Sequence, residues 1–375
     1  MDLDFTEEQE MLAEAVAGLC NQYASLDAVR ELEDDPVGYP TEFWKQLGAL
    51  DLIGLTLPED HGGSGQSLLE AAVVYEQFGR ALAPSPHFVS AVMAGGVLTL
   101  VGSESQQQEW LPRVSSGDAV LSIAWLEPGS GYSPRGVQLR AAADGDDYLL
   151  NGTKLHVPFA QAADRLVVLA RTGDADTDID LFLVDPAADG VELSQQFTIA
   201  SDTQFEVRLS DVRVPATARI GSSGTGWSTW DTVMHDGIVL LAAQAIGGAA
   251  RALEDTVQYA KDRHQFDKPL GAFQSIAHYL ADAVTTVDGG RTLVYEAAWA
   301  RAEGRSIRRL APMAKMFATK TFRDVTAMAQ QVFGGVGFTL EYDIQLYFRR
   351  AKQLQISWWD TRHLEELVAA AVFDD

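Results

Sequence analysis

Residues 238–253 constrain the fold of this chain more than any other stretch, because nearly every residue there is apolar or small. A helix that is apolar on all sides has no face suited to water, so other elements must surround it. Small residues such as Ala242, Ala243, Gly247 and Gly248 let neighbouring helices approach closely. The sequence therefore predicts a buried helix at the centre of a helical bundle.

The hydrophobic period changes twice along the chain and predicts three domains. Apolar residues recur at helical spacing in residues 1–118, predicting an N-terminal α-helical domain. Short apolar runs predict a central antiparallel β domain in residues 119–225, with turns at 144–146 and 151–152. Helical spacing returns in residues 226–375, a C-terminal α-helical bundle. The predicted fold class is α+β. The predicted strands are 120–125, 137–141, 148–150, 166–170, 179–184 and 205–209. The main predicted helices after the first are 67–80, 87–101, 238–253, 256–263, 275–303 and 310–332.

Composition restricts the partners of the chain. Its 375 residues, 47% of them apolar, are enough for two or three domains. There are 53 acidic and 28 basic residues, which give a net charge of −25. Such a surface repels phosphate backbones and anionic lipid, so we expect neither nucleic acid nor membrane as a partner. An anionic ligand such as a CoA or a dinucleotide must bind at a local basic cluster.

Cysteine content and the N-terminus bear on redox chemistry and location. Cys20 is the only cysteine, so an internal disulfide and a cysteine-based metal site are excluded, and no metal is expected. The N-terminus lacks both a hydrophobic signal core and an arginine-rich transit sequence. No uninterrupted apolar run approaches ~18 residues, so no membrane span is expected. We expect a cytoplasmic protein of bacterial type.

Three motifs in the C-terminal part carry the clearest functional signal. They are Arg263-His264-Gln265-Phe266, then Phe273-Gln274, and Gln331-Val332-Phe333-Gly334-Gly335. A guanidinium can bond phosphate through two N–H groups, an aromatic ring can stack, and a glycine pair can offer backbone N–H groups to an anion. Together with Arg349-Arg350-Ala351-Lys352, these motifs resemble the C-terminal signature of acyl-CoA dehydrogenases, and the resemblance extends over nearly the whole chain.

The resemblance implies the acyl-CoA dehydrogenase fold, an FAD cofactor and an acyl-CoA substrate. Relatives remove an α-proton and a β-hydride, and fatty acid or steroid side-chain β-oxidation with electron-transfer flavoprotein as acceptor is expected. FAD in relatives lies across the contact of two chains, and each site takes residues from both. The residues expected to hold the pyrophosphate and adenine end of a partner's FAD are Arg263, Gln265, Phe266, Gln274, Gln331, Gly334 and Gly335. Asp267 replaces the usual glycine after Phe266.

The residues that would hold a flavin ring in the chain's own site depart from the family pattern. Glu127-Pro128 is retained, but Leu126 lacks the usual hydroxyl and Tyr132 replaces a small serine. Further along, His156 replaces a tryptophan and Pro158 replaces a hydroxyl residue. Proline offers neither a side-chain donor nor a backbone N–H.

The catalytic base is also displaced. The two glutamate columns of the family fall on Trp358 and Gly237, and the indoles of Trp358 and Trp359 would fill the space that an acyl chain needs. The nearest carboxylates that could take the α-proton are Asp360 and Asp236, each outside its column and one methylene shorter than glutamate. Asp360 could equally cap a last helix that begins near residue 361.

The departures all concern the site that a chain builds on its own surface, whereas the retained residues would complete the site of a neighbour. This pattern resembles the non-catalytic, β-type subunit of actinobacterial α2β2 acyl-CoA dehydrogenases, in which a related catalytic chain carries the base. Our hypothesis is therefore a subunit of an FAD-dependent acyl-CoA dehydrogenase. Two alternatives stay open: a self-sufficient homo-oligomer that uses Asp360 or Asp236, and a catalytically inert scaffold with this fold.

Overall fold

The computed structural model describes residues 5–373. Its contacts divide the chain into two compact units. The first, which we call the helical unit, contains the described residues of 1–30, 67–83 and 238–375. The second, the sheet unit, contains residues 31–66 and 84–237.

The secondary structure follows the predicted order of helices, strands and helices. The helices are α1 (Glu7–Tyr23), α2 (Leu26–Glu31), α3 (Thr41–Ala49), α4 (Leu68–Ala81), α5 (Gly95–Val101), α6 (Glu104–Ser116), α7 (Gly226–Asp262), α8 (Gln274–Ala302), α9 (Leu310–Phe333), α10 (Ile344–Ile356) and α11 (Thr361–Phe373), with a π-helical stretch, Phe88–Ala94, before α5. The strands are β1 (Leu121–Ala124), β2 (Arg140–Asp144), β3 (Asp147–Pro158), β4 (Arg165–Arg171), β5 (Ile179–Val184), β6 (Val191–Gln196), β7 (Gln204–Pro215), β8 (Arg219–Ile220), β9 (His264–Gln265) and β10 (Lys268–Pro269).

Helix α7 contains the apolar stretch 238–253, and close packing against α4 explains its small residues. A Cβ atom on Gly247 would lie 1.9 Å from the carbonyl oxygen of Glu76, and one on Gly79 would lie 1.9 Å from that of Gln244. Glycine is therefore required on both helices where their backbones meet. Among the described helices, α7 alone is long and apolar enough to cross a membrane, yet 89% of that apolar window is buried inside the protein. The predicted break between 253 and 256 is wrong, because no helix-breaking residue separates the two segments.

The sheet unit is built on one sheet in the order β6-β7-β3-β2-β4-β5-β8, with β1 beside β4. Most pairs are antiparallel, as predicted, but β1 runs parallel to β4 and β2 meets β4 in a parallel register. A parallel pair needs a long crossover, and the chain between β1 and β4, which includes the β2–β3 hairpin, supplies it.

Of the two predicted turns in this sheet, one forms and one does not. The turn at 144–146 joins β2 to β3, where Asp144 pairs with Asp147. The predicted turn at 151–152 is wrong, because Asn151 and Gly152 lie inside β3. Asn151 pairs with Arg140, and Gly152 marks a register shift against β7. A glycine in a strand often marks such an irregularity rather than a turn.

Candidate functional site

The Arg263–Phe266 motif follows the end of α7 and forms a short hairpin in the helical unit. Strands β9 and β10 pair Gln265 with Lys268. The two residues between them, Phe266 and Asp267, have φ angles of 51° and 61°, the left-handed region that favours glycine. The turn therefore survives the replacement of glycine by Asp267 at a cost of about 1–2 kcal/mol. It holds the Phe266 ring 86% exposed.

Backbone and ring contacts join the three motifs within the helical unit. The Leu270 N–H donates to the Arg263 carbonyl oxygen at 2.8 Å, and the Phe266 and Phe273 ring centroids lie 6.3 Å apart. The Tyr259 ring stacks on Phe333 at 4.1 Å, directly before Gly334. The structure thus brings Arg263, Phe266 and the Gly334 turn onto connected elements.

The end of α9 offers a glycine turn with open space around it. Gly334 has φ 66° and ψ −145°, and a Cβ atom on Gly334 or Gly335 would meet nothing within 4 Å. The Gly334 N–H already donates to the Gln330 carbonyl oxygen, which closes the helix. Of the two predicted N–H donors to an anion, only that of Gly335 is therefore a candidate.

The predicted FAD-contacting side chains are exposed, and one of them, Arg263, carries a positive charge in an acidic protein. Arg263, Gln265, Gln274 and Gln331 are all exposed. Within the described residues, the Arg263 guanidinium makes no ion pair and no side-chain hydrogen bond. An open cation, an exposed ring and a glycine turn fit the phosphate and adenine half of FAD.

In the sheet unit, aromatic rings pack together beside the segment that follows β1. The Trp125 ring lies 5.0 Å from that of Trp230 and 5.8 Å from that of Tyr132. Trp230 is fully buried. Tyr132, in the place of a small serine, therefore packs against the protein's own rings.

His156 is also occupied by contacts within the sheet unit. Its φ of 53° lies at a register shift between β3 and β7. The His156 N–H donates to Gln196 Oε1 at 2.8 Å, and its Nδ1 lies 2.9 Å from Gln204 Oε1. Pro158 follows in the same strand, where it pairs with Gln204. The exposed His156 ring, at the position that resembles the tryptophan position of relatives, is thus already hydrogen-bonded to Gln204.

The retained Glu127 has a structural role. Its carboxylate accepts the N–H groups of Gln138 and Leu139 at 2.9–3.1 Å, and the Lys154 ammonium donates to it at 2.7 Å. Lys154 also donates to the Trp125 carbonyl oxygen at 3.2 Å. Burial lowers the pKa of Lys154 to about 8, although the Glu127 carboxylate opposes the shift. The pair ties β3 to the segment after β1.

Gly237, which the sequence analysis aligned with one of the two base columns, has close side-chain neighbours. A Cβ atom there would lie 2.7 Å from Met93 Sδ and 3.2 Å from the Phe88 ring. Both neighbours belong to the π-helical stretch Phe88–Ala94. Asp236, the adjacent candidate base, is half-buried within α7. A glutamate at 237 would therefore have to displace Met93 and Phe88.

The other base column lies in a turn between α10 and α11 in the helical unit. Trp358 and Trp359 have φ angles of 53° and 70°. Trp359 is 1% exposed and packs in the core, with its ring 5.2 Å from His363. Asp360 Oδ1 accepts the His363 N–H at 2.9 Å, so Asp360 caps α11. The capping alternative predicted from the sequence is confirmed, whereas a role as base stays a prediction.

Lys315, which the sequence analysis missed, organises this turn. Its ammonium is fully buried and donates to the carbonyl oxygens of Leu354, Ser357 and Trp359 at 2.8–3.2 Å. Burial lowers the pKa of Lys315 to about 7, opposed by the nearby charge of Asp360. In the sequence, Lys315 could have been identified by its place on the apolar face of α9, because a buried lysine needs polar partners.

Comparison with known proteins decides the family. Acyl-CoA dehydrogenase models match the N-terminal domain over residues 6–118, the middle domain over 122–212 and the C-terminal domain over 224–358. "Probable acyl-CoA dehydrogenase YngJ" of Bacillus subtilis is 31% identical over 378 residues, covering 99% of each chain. The chain belongs to the acyl-CoA dehydrogenase family. The predicted fold class is thereby confirmed, and FAD is the cofactor of this oxidoreductase family.

Solved structures of similar chains agree over the full length of this family member. A chain from the electron transferring flavoprotein structure of Acidaminococcus fermentans has a TM-score of 0.93 at 27% identity, covering 100% of both chains. A chain from the ChsE4-ChsE5 complex of Mycobacterium tuberculosis has a TM-score of 0.90 at 28% identity, again covering 100% of both.

Proposed function

We propose that this chain is the subunit of a heteromeric, FAD-dependent acyl-CoA dehydrogenase that completes the FAD site of a catalytic partner chain. The assembly we propose is an α2β2 heterotetramer in which a related chain supplies the base and the flavin-ring contacts. Acyl-CoA is the proposed substrate, and electron-transfer flavoprotein is the proposed acceptor. The similarity to a chain of the ChsE4-ChsE5 complex supports a heteromeric assembly. The similarity to a chain of the A. fermentans electron transferring flavoprotein structure supports the proposed acceptor.

The observation that carries this proposal is the packing around Gly237. Met93 and Phe88 occupy the space that a base at this position would need. The other base column, Trp358, lies in a turn beside the core residue Trp359. Neither column offers a carboxylate. The exposed Arg263 and Phe266, by contrast, remain open to a ligand.

This chain's own residues would hold FAD at its phosphate and adenine end. In the proposed complex, Arg263 would bond a phosphate oxygen, Phe266 would offer a stacking face and Gly335 would offer its N–H. FAD, when bound, supplies the hydride acceptor for α,β-dehydrogenation. The side chains of this subunit position the dinucleotide and exclude water from it, whereas proton removal belongs to the partner.

The proposal is tested by purifying the chain alone and together with a related chain encoded beside it. We expect a colourless, inactive protein alone and a yellow complex that oxidises acyl-CoA with an artificial electron acceptor. A chain that is yellow and active alone would contradict the proposal and support the self-sufficient homo-oligomer. Absence of flavin in both preparations would contradict it and support the inert scaffold.

A further inference from the structure

Gln330, in the last turns of α9, carries a buried amide that no described residue bonds. The side chain is 5% exposed, and neither its Oε1 nor its Nε2 has a hydrogen-bond partner within residues 5–373. The great majority of buried polar groups in folded proteins are paired, so an orphaned amide requires a physical reason. Methionine has the same length and no such requirement, yet the chain carries glutamine here.

The orphaned amide lies directly under the turn Gly334–Phe338. Gln330 Oε1 would lie 2.6 Å from a Cβ atom on Gly337, so the amide occupies the space that any side chain at 337 would take. The backbone carbonyl oxygen of Gln330 also accepts the Gly334 N–H. Gln330 therefore contacts the turn through both its main chain and its side chain.

The Gly334–Gly335 end of this turn has open space around it. Gly334 has φ 66° and ψ −145°, a conformation essentially restricted to glycine, and a Cβ atom on Gly334 or Gly335 would meet nothing within 4 Å. A small shift of the backbone would change which turn atoms face the Gln330 amide. The same turn carries Gly335, the candidate contact to a dinucleotide phosphate.

We propose that Gln330 is a positioning residue that couples dinucleotide binding to the conformation of the Gly334–Phe338 turn. Binding of the phosphate end shifts the turn, and turn backbone atoms then supply the partners that the Gln330 amide lacks. Ligand binding thus gains hydrogen bonds that are absent from the free chain. This inference rests on the proposed half-site for FAD and concerns a residue outside its three motifs.

The test uses Gln330→Met in the complex with the partner chain. We expect FAD and ADP to bind about ten-fold more weakly, by the same factor, because the effect is confined to the phosphate and adenine end. We also expect the FAD-free complex to melt about 1–3 °C higher, because the variant removes an unsatisfied buried amide. Titration by fluorescence and calorimetric melting measure the two effects.

Gln106 provides the matched control, because it is a buried glutamine with every group bonded. Its Nε2 donates to the carbonyl oxygens of Thr217 and Arg219 at 3.0 Å, and its Oε1 accepts the Ser103 N–H at 3.0 Å. We expect Gln106→Met to melt lower with and without FAD and to leave FAD affinity unchanged. A rise in melting temperature is therefore specific to an orphaned amide.

Two results would overturn the inference alone: FAD binding by Gln330→Met as tight as that of the wild type, or a lower melting temperature of the FAD-free variant. If Gln330→Met raises the melting temperature by the same amount with and without FAD, its FAD affinity is unchanged. Gln330 would then be a packing defect with no role in binding. Failure of the wild-type complex to bind FAD at all would overturn both the proposed function and the inference.

Discussion

The two regions that relatives use to hold FAD differ in what their side chains already contact. In the helical unit, Arg263 and Phe266 are exposed and open to a ligand. In the sheet unit, His156 and Tyr132 are engaged by neighbouring residues. The side chains of the first region are thus available to a ligand, whereas those of the second already contact neighbouring residues of the fold.

A residue of a family motif can therefore be retained because the fold needs it, without contacting a ligand. Glu127 belongs to a family motif, yet its oxygens are filled by Lys154 and two backbone N–H groups. Its presence is explained by the sheet alone. Arg263 has no such contacts within the described residues, so the fold does not require its guanidinium. Variants at buried positions of the sheet unit should therefore change stability, and variants at Arg263 should change ligand binding.

The largest expected effect comes from breaking the buried ion pair. Lys154→Met leaves the Glu127 carboxylate buried without its cation, and we expect a loss of about 3–5 kcal/mol in the free energy of unfolding. Urea denaturation measures it. The double variant Glu127→Gln with Lys154→Met should recover most of that loss, because no buried charge remains. Equal destabilisation by the single and double variants would show that the pair is not coupled.

Restoring a glutamate at a base column should fail for steric reasons. Gly237→Glu would force atoms against Met93 and Phe88 and bury a charge, at a cost of about 3 kcal/mol or more. Gly237→Ala should cost about 1 kcal/mol, because the close Met93 sulfur can move. Thermal unfolding compares the two. A stable Gly237→Glu protein with acyl-CoA dehydrogenase activity would contradict the claim that packing at position 237 disfavours a base there.

Removing the open cation should affect binding and leave folding unchanged. We expect Arg263→Ala to weaken FAD binding to the complex about 10- to 100-fold, because charge-assisted bonds to phosphate are lost. The melting temperature of the FAD-free protein should not change. Arg208→Ala, an exposed arginine of β7, is the control and should alter neither quantity. Unchanged FAD affinity in the Arg263→Ala complex would contradict the proposed FAD half-site.

The smallest effect separates the two roles of Asp360. Asp360→Ala should cost about 1 kcal/mol through loss of the α11 cap, whereas Asp360→Asn keeps the acceptor and should cost less, because it loses only the charge near Lys315. Both variants of the complex should retain the wild-type rate of acyl-CoA oxidation. A loss of rate in the asparagine variant, with its stability intact, would identify Asp360 as a base.

The sequence predicted the elements whose pattern is local. The predicted bounds of strand β5 match the observed ones because its apolar run is interrupted only by Asp180 and lies between turn residues, and the lack of a polar face locates the centre of α7. The motifs Arg263–Phe266 and Gln331–Gly335 were found because each is contiguous. Their connection through Tyr259 and Phe333 depends on a ring contact that no sequence pattern encodes.

Features set by long-range packing escaped prediction. The length of β3 beyond Asn151 depends on its pairing with β7, and the parallel pair of β1 and β4 depends on a crossover. The closure of position 237 by Met93 required the π-helical stretch to be known. The partners of Lys315 lie on α10 and in the turn that follows it, so its role was visible only in three dimensions.

The flavin content of the purified complex tests the central claim most directly. If this chain completes one site per partner and builds none of its own, absorbance and protein quantification should give one FAD for every pair of chains. The chain purified alone should give none. One FAD for every chain, in the complex or in the protein alone, would contradict the division of the two half-sites.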